Sequence, residues 1–516
     1  MSLNTALSIA QSGLSLVQRQ IAQSADNIAN SGTAGYTTKT VAGRTLTAGG
    51  QSTGVRSLQA QRSIDTALAA DLNSARSSQA AAGARATILQ GIDQVQGDPE
   101  DGQSVGDLTA DLHTAFVTLR DSPSEQILQQ NVVDAASTLA DRYNEVSDAI
   151  TSARQSAHDG MVDDVATLNS GLRQVATLNA QIVSLKAQGL STATLQDQRD
   201  TAVAGIADVL EVKAIAQDSG AISLIAKGGL NLPLSTSTDA FQLDNAAIGV
   251  ESYHGTSTAG VAGSIPGVML AGVDVTSQLG GGRLAAYADL RDNVLPLQQA
   301  ELDLSAANLA TRLDAQGLTL FTGSDGSVPD ATGAYSDATG GVMGFAGAMR
   351  VNGAVLADSS TVRDGTHDVA GSVGGASTFT ANSDTGPAGF TTLIDRALDY
   401  SFGNKVAEGV SQPGFATTGL GPDGTLQSSL GTAKTVEDYA ARLVARHTGE
   451  SSAATTADTS AQALVSGLEE RFSTRSSVDV DAELASMVSL QNTYAANARV
   501  MSTVQSMYDA LFAVNT

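Results

Sequence analysis

The sequence has no cysteine and no tryptophan, and aromatic residues make up only 4% of its 516 residues. Without cysteine the chain can form no disulfide, no thiolate nucleophile and no thiolate metal site. Its apolar side chains, 42% of the chain, are mostly Ala, Leu, Val and Ile, a composition that suits closely packed helices. Because the chain is too long for one ordinary core, we expect several domains.

Positive charge is also scarce, with 28 Lys and Arg against 53 Asp and Glu and a net charge of −25. Nucleic acids and anionic membranes are bound by concentrated Lys and Arg, so we expect neither as a partner. No run of about 18 apolar residues predicts a transmembrane helix. The amino terminus lacks the positive region of a secretory signal, since the first basic residue is Arg19. If the protein leaves the cell, we expect a route without a cleaved signal peptide.

The patterns of catalytic and metal sites are missing as well. The five His residues lie too far apart in sequence for a His-x-x-x-His zinc helix, and there is no nucleophile elbow or Walker loop. We therefore predict no catalytic residue, no metal ligand and no cofactor. The glycines 280–282 are interpreted as a flexible turn rather than an anion site. Asp98, Glu100 and Asp101 lack the ligand order of a calcium loop and are interpreted as a solvated connection.

Both ends of the chain carry apolar residues at alternating steps of three and four, the spacing of a coiled-coil seam. The other faces of these predicted helices are mostly uncharged and polar, which suits packing against other helices or other copies. The alternative is that both helices pack on the body of the same domain. The predicted assembly interface consists of Leu3, Leu7, Leu14, Val17, Ile21 and Ile28, together with Leu484, Met487, Leu490, Tyr494, Met501, Val504, Tyr508 and Leu511.

Between the ends, the periodicity predicts long helices from about residue 64 to residue 210. One helix opens at Pro123 and Ser124, and a separate one ends at Gly189. Alternation over 212–216 and 222–226 predicts a hairpin that opens a small β region. Helix returns near Arg283, with a kink expected at Pro296, and residues 435–446 and 461–472 are predicted as two more helices.

The predicted fold class is α+β, multidomain and elongated, with coiled-coil-like terminal helices, a bundle of long helices and a β-rich outer insertion. We predict three domains. Residues 1–45 with 477–516 form a terminal helical assembly domain. Residues 46–322 with 430–476 form a helix-rich domain with a small β region at about 211–275. Residues 323–429, rich in Gly, Ser and Thr, form the β insertion.

The loop after the first helix reads Ser-Ala-Asp-Asn-Ile-Ala-Asn-Ser-Gly-Thr-Ala-Gly-Tyr over residues 24–36. This closely resembles the amino-terminal signature shared by flagellar rod, hook and hook-associated proteins. Ala34 stands where proline is usual. Residues 478–484 and 491–500 look like the terminal helix of the same family. The positions that match the signature are Asn27, Ile28, Ala29, Asn30, Thr33, Gly35 and Tyr36.

Two internal segments are similar to those of one subfamily, the first hook-associated proteins. They are Leu-Gln-Asp-Gln-Arg-Asp over 195–200, and the glycine turn at 280–282 with the Arg-Asp helix that follows. The resemblance implies a structural, self-assembling subunit at the hook–filament junction, outside the cell and exported by the flagellar type III apparatus. The implied partners are copies of the chain in a ring, the hook protein, hook-associated protein 3 and an export chaperone.

Two other functions stay open on the sequence. The chain could be a hook or filament subunit of the same superfamily, although its helical middle weighs against hook and its signature loop against filament. A more distant alternative is a secreted hydrolase carried in residues 323–429, where no nucleophile–base pair is recognisable.

Overall fold

Long helices dominate the structure, a computed structural model that describes residues 3–97, 102–337, 339–383, 385–431 and 433–513. Asp98, Glu100 and Asp101, and both extreme ends of the predicted terminal domain, lie outside this range. The helices are α1 (Leu3–Ala29), α2 (Thr66–Gln96), α3 (Val105–Asp121), α4 (Gln126–Ala187), α5 (Ala193–Val209), α6 (Gly282–Asp289), α7 (Leu295–Ala315), α8 (Phe345–Ala348), α9 (Gly353–Ala357), α10 (Thr361–Asp364), α11 (Thr392–Arg396), α12 (Val436–Ser476) and α13 (Val480–Ala513).

Side-chain caps fix where several of these helices begin. Asp65 accepts a hydrogen bond from the Leu68 amide at the start of α2. Ser104 and Asp107 form a reciprocal capping box at the start of α3, and Thr435 caps α12. Such caps satisfy amides that have no partner within the helix.

The longest element, α4, has 62 residues and is therefore about 93 Å long. The prediction of separate helices opening at Pro123 and ending at Gly189 is wrong, because no break occurs between them. Gly160 lies within α4 without interrupting it. A Cβ atom at this position would lie 2.7 Å from the ring of Tyr287, so the glycine permits close packing there. Residues 435–446 and 461–472 likewise belong to one helix, α12, which packs along α2.

A π-helical turn over Leu290–Val294 joins α6 to α7, and Pro296 lies in the first turn of α7. Proline has no amide hydrogen to donate, so a locally altered hydrogen-bond pattern beside it is expected. A second π-helical turn, Ala397–Ser401, follows α11, and a 3-10 turn covers Thr276–Gln278.

The strands are short, and all recorded pairings are antiparallel. They are β1 (Lys39–Thr40), β2 (Gly43–Ala48), β3 (Gln51–Ser57), β4 (Gln61–Arg62), β5 (Val212–Ala216), β6 (Ile222–Ala226), β7 (Asn231–Leu232), β8 (Phe241–Gln242), β9 (Met269–Leu270), β10 (Val273–Asp274), β11 (Phe321–Thr322), β12 (Arg350–Val351), β13 (Lys405–Ala407), β14 (Val410–Ser411), β15 (Thr418–Leu420) and β16 (Leu426–Gln427). The sheets have the orders β1-β4, β2-β3, β5-β6-β7, β10-β9-β8, β11-β12, β13-β14 and β15-β16.

The predicted hairpin of the small β region is confirmed. Val212 pairs with Ala226 and Ala216 with Ile222, which sets the register of β5 and β6. The sheet is fixed to α4 by an asparagine, because the Asn179 amide group donates to the Ile222 carbonyl (2.9 Å) and accepts from the Ile222 amide (3.1 Å). The side chain of Asn169, nearer the middle of α4, makes the same pair of bonds with Phe241.

The segment 323–429 differs from the expected β-rich outer insertion. Its described residues form short helices and two-stranded pairs, and most of its aromatic side chains enter the same apolar core as α3, α4, α7 and α12. Phe402 packs against Phe116 of α3, and Phe415 stacks on Tyr439 of α12 at 3.9 Å. The segment is thus attached to the helical body by burial of apolar surface. The boundaries of the three domains stay a prediction.

Candidate assembly interface

The two terminal helices lie antiparallel against each other. Near one end of the pair the Tyr508 hydroxyl bonds to the Asn4 side chain. In the middle, Gly13 faces Asn497, whose amide nitrogen would be 3.4 Å from a Cβ atom at that glycine. At the other end Ser24 donates to a Glu483 carboxylate oxygen at 2.5 Å. The pair therefore makes side-chain contacts along most of α1.

A neighbouring part of the α1 surface is covered by the hairpin of β2 and β3. The Ser12 hydroxyl accepts a hydrogen bond from the Val55 amide (3.1 Å), and the side-chain nitrogen of Gln20 donates to the Val41 carbonyl (3.0 Å). A Cβ atom at Gly54 would lie 2.7 Å from the Ser12 hydroxyl oxygen, so only glycine allows this close approach. Accordingly, α1 packs against both α13 and a two-stranded ribbon.

Asn27 connects the signature loop to the carboxy-terminal helix. Its side-chain nitrogen donates to the Glu483 carboxylate (2.7 Å) and to the Lys39 carbonyl (2.9 Å). Its side-chain oxygen accepts from the Tyr36 hydroxyl (2.9 Å) and from the Lys39 amide (3.2 Å). The side chain is 1% exposed and uses every donor and acceptor position that an amide offers.

Tyr36 closes the signature loop onto α1. Burial and the nearby Asp26 carboxylate raise the pKa of the Tyr36 hydroxyl, which also bonds to Asp26 at 3.2 Å. The Lys39 ammonium lies 3.2 Å from the centre of the Tyr36 ring, a cation–π contact. A tyrosine hydroxyl is protonated at neutral pH in any case, and the raised pKa keeps this one a donor at higher pH as well.

Asp197 ties this loop to the helical body. Its carboxylate accepts from the Thr37 hydroxyl (2.7 Å) and forms ion pairs with Lys39 (2.6 Å) and Arg62 (3.0 Å). The backbone of Thr38 reaches the end of α12 through a bond to the Ser476 carbonyl (2.9 Å). We call Asn27, Tyr36, Lys39, Asp197 and Glu483 the anchor cluster; it joins α1, α13 and α5.

The other signature residues shape the loop itself. The Asn30 side chain donates to the Asp26 carbonyl (2.9 Å), and the Thr33 hydroxyl reaches Asn30 at 3.5 Å. Gly35 has a φ of 76°, in the left-handed region, and a Cβ atom there would lie 2.5 Å from the Thr201 hydroxyl oxygen. Ile28 is half-buried and Ala29 is exposed.

The predicted assembly residues of α1 all lie at least half-buried. Val17 is buried, and Leu3, Leu7, Leu14, Ile21 and Ile28 have intermediate exposure. On α13, Val504 is buried and Met487, Leu490, Met501 and Tyr508 are half-buried, whereas Leu484, Tyr494 and Leu511 are exposed. Part of the predicted interface is therefore used within the chain, and part of it faces outward.

Several apolar residues of α13 that are not part of the predicted seam also point outward. Between 50% and 65% of the surface is exposed in each of these residues, which are Val488, Val500, Met507 and Phe512. Together with Leu484, Tyr494 and Leu511 they give the helix apolar groups outside its contact with α1. These outward residues could have been predicted from the sequence. A helix that carries apolar residues beyond one stripe needs more than one packing partner.

The glycine turn before α6 supports a packing role. Gly281 and Gly282 both have a φ of 72°, and a Cβ atom at Gly282 would lie 2.2 Å from the Val209 carbonyl oxygen. The turn packs tightly on the end of α5, so its glycines serve close approach of the backbone rather than the flexibility that was expected. The Arg-Asp helix that follows is also structural, since Arg291 is buried, bonds bidentately to Asp292 and contacts His158 at 3.1 Å.

Within the described residues, no group of three or more His, Asp and Glu side chains is arranged to hold a metal ion. No helix in that part of the chain is long and apolar enough to cross a membrane.

Comparisons with known proteins match both the helical body and the carboxy-terminal helix. Residues 89–327 match the family described as the flagellar hook-associated protein FlgK helical domain. Residues 470–513 match the flagellar basal body rod FlgEFG protein C-terminal family. The second match covers the end of α12 and all of α13.

Flagellar hook-associated protein 1 of Bacillus subtilis is 24% identical over 43% of this chain and 46% of that protein. The protein of the same name from Salmonella typhimurium is 27% identical over 43% of this chain and 41% of its own length. The chain thus matches less than half the length of these relatives. A solved structure of the flagellar hook junction protein FlgK from Burkholderia pseudomallei is 25% identical, covering 50% of this chain and 45% of that one, with a TM-score of 0.39.

Proposed function

We propose that this chain, whose residues 89–327 match the helical domain of the flagellar hook-associated protein FlgK, is a structural subunit of the external flagellum and forms the junction between hook and filament. It assembles with copies of itself through its terminal helices. The role is structural, without catalysis or a cofactor.

The observation that carries this proposal is the anchor cluster. The signature loop, the segment 195–200 and the carboxy-terminal helix are far apart in sequence, yet Asn27, Asp197 and Glu483 meet through hydrogen bonds and ion pairs of 2.6–2.9 Å. The cluster presents the terminal helix pair as one unit on the helical body. The outward apolar groups of α13 then supply surface for neighbouring subunits.

The partners follow from this role. We propose that the ring of copies contacts the hook protein on one side and hook-associated protein 3 on the other. Before assembly the chain is carried by a flagellar export chaperone and leaves the cell through the type III apparatus, without a cleaved signal peptide. The absence of cysteine from the sequence suits such a route, since no disulfide can form before export.

The test is deletion of the gene in its source bacterium, followed by electron microscopy of the cells and an assay of flagellin in the medium. Hooks without filaments, with flagellin lost to the medium, would support the junction role. Missing hooks would assign the chain to hook or rod instead, and normal flagella would contradict a flagellar junction altogether. Complementation with the full-length gene is the control.

A further inference from the structure

Charge is distributed unevenly along this acidic chain. The first 64 residues contain five basic residues and only one acid, Asp26, while the chain as a whole carries −25. Lys39 and Arg62 are neutralised by Asp197 in the anchor cluster. The remaining three, Arg19, Arg44 and Arg56, are exposed and form no ion pair with any described residue.

Two of these arginines face each other on the hairpin that covers α1. Arg44 of β2 is the register partner of Arg56 of β3, so their side chains emerge from the same face of the ribbon. Like charges directly opposite each other destabilise an antiparallel pair, and an isolated two-stranded ribbon is only marginally stable. Every residue of β2 is exposed. We call this ribbon the arginine hairpin.

A matching surface lies on α4. Six acids recur at helical spacing on its outer side, and all six are exposed: Asp134, Asp141, Glu145, Asp148, Asp159 and Asp163. They form a stripe about 44 Å long, given the 1.5 Å rise per residue. Among the described residues only Glu145 has a cation within reach, Arg142 at 3.1 Å. We call this surface the acidic stripe.

The stripe is out of reach of the hairpin within one chain. The hairpin rests on Ser12 and Leu16 of α1, and Gln59, just after β3, bonds to Gly189 at the end of α4. The nearest stripe residue, Asp163, lies about 36 Å of helix before that end of α4. An arginine side chain cannot span that distance. Contact between the two surfaces therefore requires two molecules.

We propose that the arginine hairpin docks on the acidic stripe of a second copy of this chain. The inference rests on the proposed function, which brings copies together in an assembly. Docking removes the repulsion between Arg44 and Arg56 by placing carboxylates beside both, and it compensates the uncovered acids of α4. Complementary charge of this kind also fixes register between subunits and excludes wrong contacts.

The experiment uses the full-length chain expressed in a strain that lacks the gene. The fraction of the chain in purified hook-containing particles is compared with the fraction in the medium by quantitative immunoblot. R44E/R56E is expected to lower the incorporated fraction about tenfold, because like charges would then be brought together at the contact. The matched control is R120E/R471E, which changes the net charge equally at two exposed arginines without a described partner.

Charge reversal on the stripe, D141R/D148R, should cause the same loss, and combining it with R44E/R56E should restore incorporation. If R44E/R56E incorporates as well as the control, the inference is overturned. Loss without restoration overturns it too, because the hairpin would then contact something other than the stripe. If the wild-type chain itself is absent from the particles, the proposed function fails instead.

A second measurement does not depend on how the charge variants fold. The chain has no native cysteine, so R44C and D148C give unique thiols. Particles assembled from a mixture of the two variants and treated with a short bifunctional maleimide should yield crosslinked dimers. R120C mixed with D148C should yield none. Equal crosslinking in both mixtures, or none in either, would contradict the docking.

Discussion

The ion pairs of Asp197 should contribute more to the attachment of the terminal helices than any other single side-chain contact of the anchor cluster. The Lys39 side chain is 2% exposed, and its ammonium lies between the Asp197 carboxylate at 2.6 Å, the Thr37 carbonyl at 3.3 Å and the ring of Tyr36. Replacing Asp197 with alanine leaves that charge buried without a counter-ion. Removing one partner of a buried pair costs about 3–5 kcal/mol.

Asp200 provides the matched control, since it lies one turn further along α5 and pairs with the same arginine. Its side chain is 42% exposed and stands 2.7 Å from Arg62. An exposed ion pair contributes only about 0–1 kcal/mol. D197A should therefore destabilise the anchor by at least about 2 kcal/mol more than D200A does.

Native-state hydrogen exchange measures this difference locally. The Thr38 amide bonds to the Ser476 carbonyl, and the Ser63 amide to the Thr38 carbonyl, so both amides report opening of the anchor. Both should exchange faster in D197A than in D200A, while amides in the middle of α4 should not change. Equal exchange in the two variants would refute the reasoning, because Lys39 would then reach solvent without cost. The double variant K39M/D197L should recover part of the loss, since the buried Lys39 charge is removed together with its counter-ion, while Thr37 and Arg62 still lack the carboxylate.

Three more predictions concern the anchor cluster, the terminal helices and the helical core. N27A should weaken the α1–α13 contact by about 2–4 kcal/mol, because it leaves several buried groups unpaired, whereas N30A should cost about 1 kcal/mol; hydrogen exchange of the terminal helices distinguishes the two. L14D or M501D should leave the body folded and soluble but block incorporation into flagella, and normal incorporation of either would show that the seam assignment is wrong. Burial raises the pKa of Asp303 to about 6 although Tyr335, Gly344 and Ala346 donate hydrogen bonds to it, so the folded state binds the proton more tightly than the unfolded one. Stability from this group is present below about pH 4 and is lost as the pH rises to about 6, by about 3 kcal/mol, and urea unfolding of wild type and D303N should diverge over that range.

The sequence was informative wherever local chemistry decides the structure. The alternation over 212–216 and 222–226 depends on neighbours in the chain, and the hairpin that it predicts is present. The joins between helices depend on distant partners instead. Gly160 looks like a weak point in a helix until Tyr287, 127 residues later, is seen to fill the space beside it.

The segment 323–429 shows the same limit. Its abundance of Gly, Ser, Thr and Asp favoured strands and turns, but its place in the fold is determined by a few isolated aromatic residues. Phe345, Phe379, Phe402 and Phe415 enter the helical core one at a time, without a period that a sequence pattern could detect. Burial of single large side chains therefore decided the packing of a segment whose composition indicated otherwise.

The anchor cluster was beyond pattern analysis for a related reason. Lys39 and Arg62 are separated from Asp197 by more than 130 residues, and no spacing rule connects them. The resemblance did include the segment 195–200 and the signature loop, but it gave no reason for either. The structure supplies one, because Asp197 forms a buried ion pair with Lys39, three residues after the signature loop, and the backbone of Lys39 is bonded to Asn27 of that loop.

The geometry of the signature loop also explains why Ala34 can stand where proline is usual. The Tyr36 amide bonds to the Thr33 carbonyl at 3.2 Å, and Gly35 has a φ of 76°, which together describe a type II turn. Ala34 is then the second residue of that turn, where proline is favoured, and its amide makes no described backbone bond. A34P should therefore stabilise the loop by about 0.4–1 kcal/mol, because it restricts the unfolded chain without straining the turn. G35A should act in the opposite direction, since its Cβ atom would meet Thr201 and its φ is unfavourable. Thermal unfolding of the two variants tests the turn assignment, and a loss of stability in A34P would contradict it.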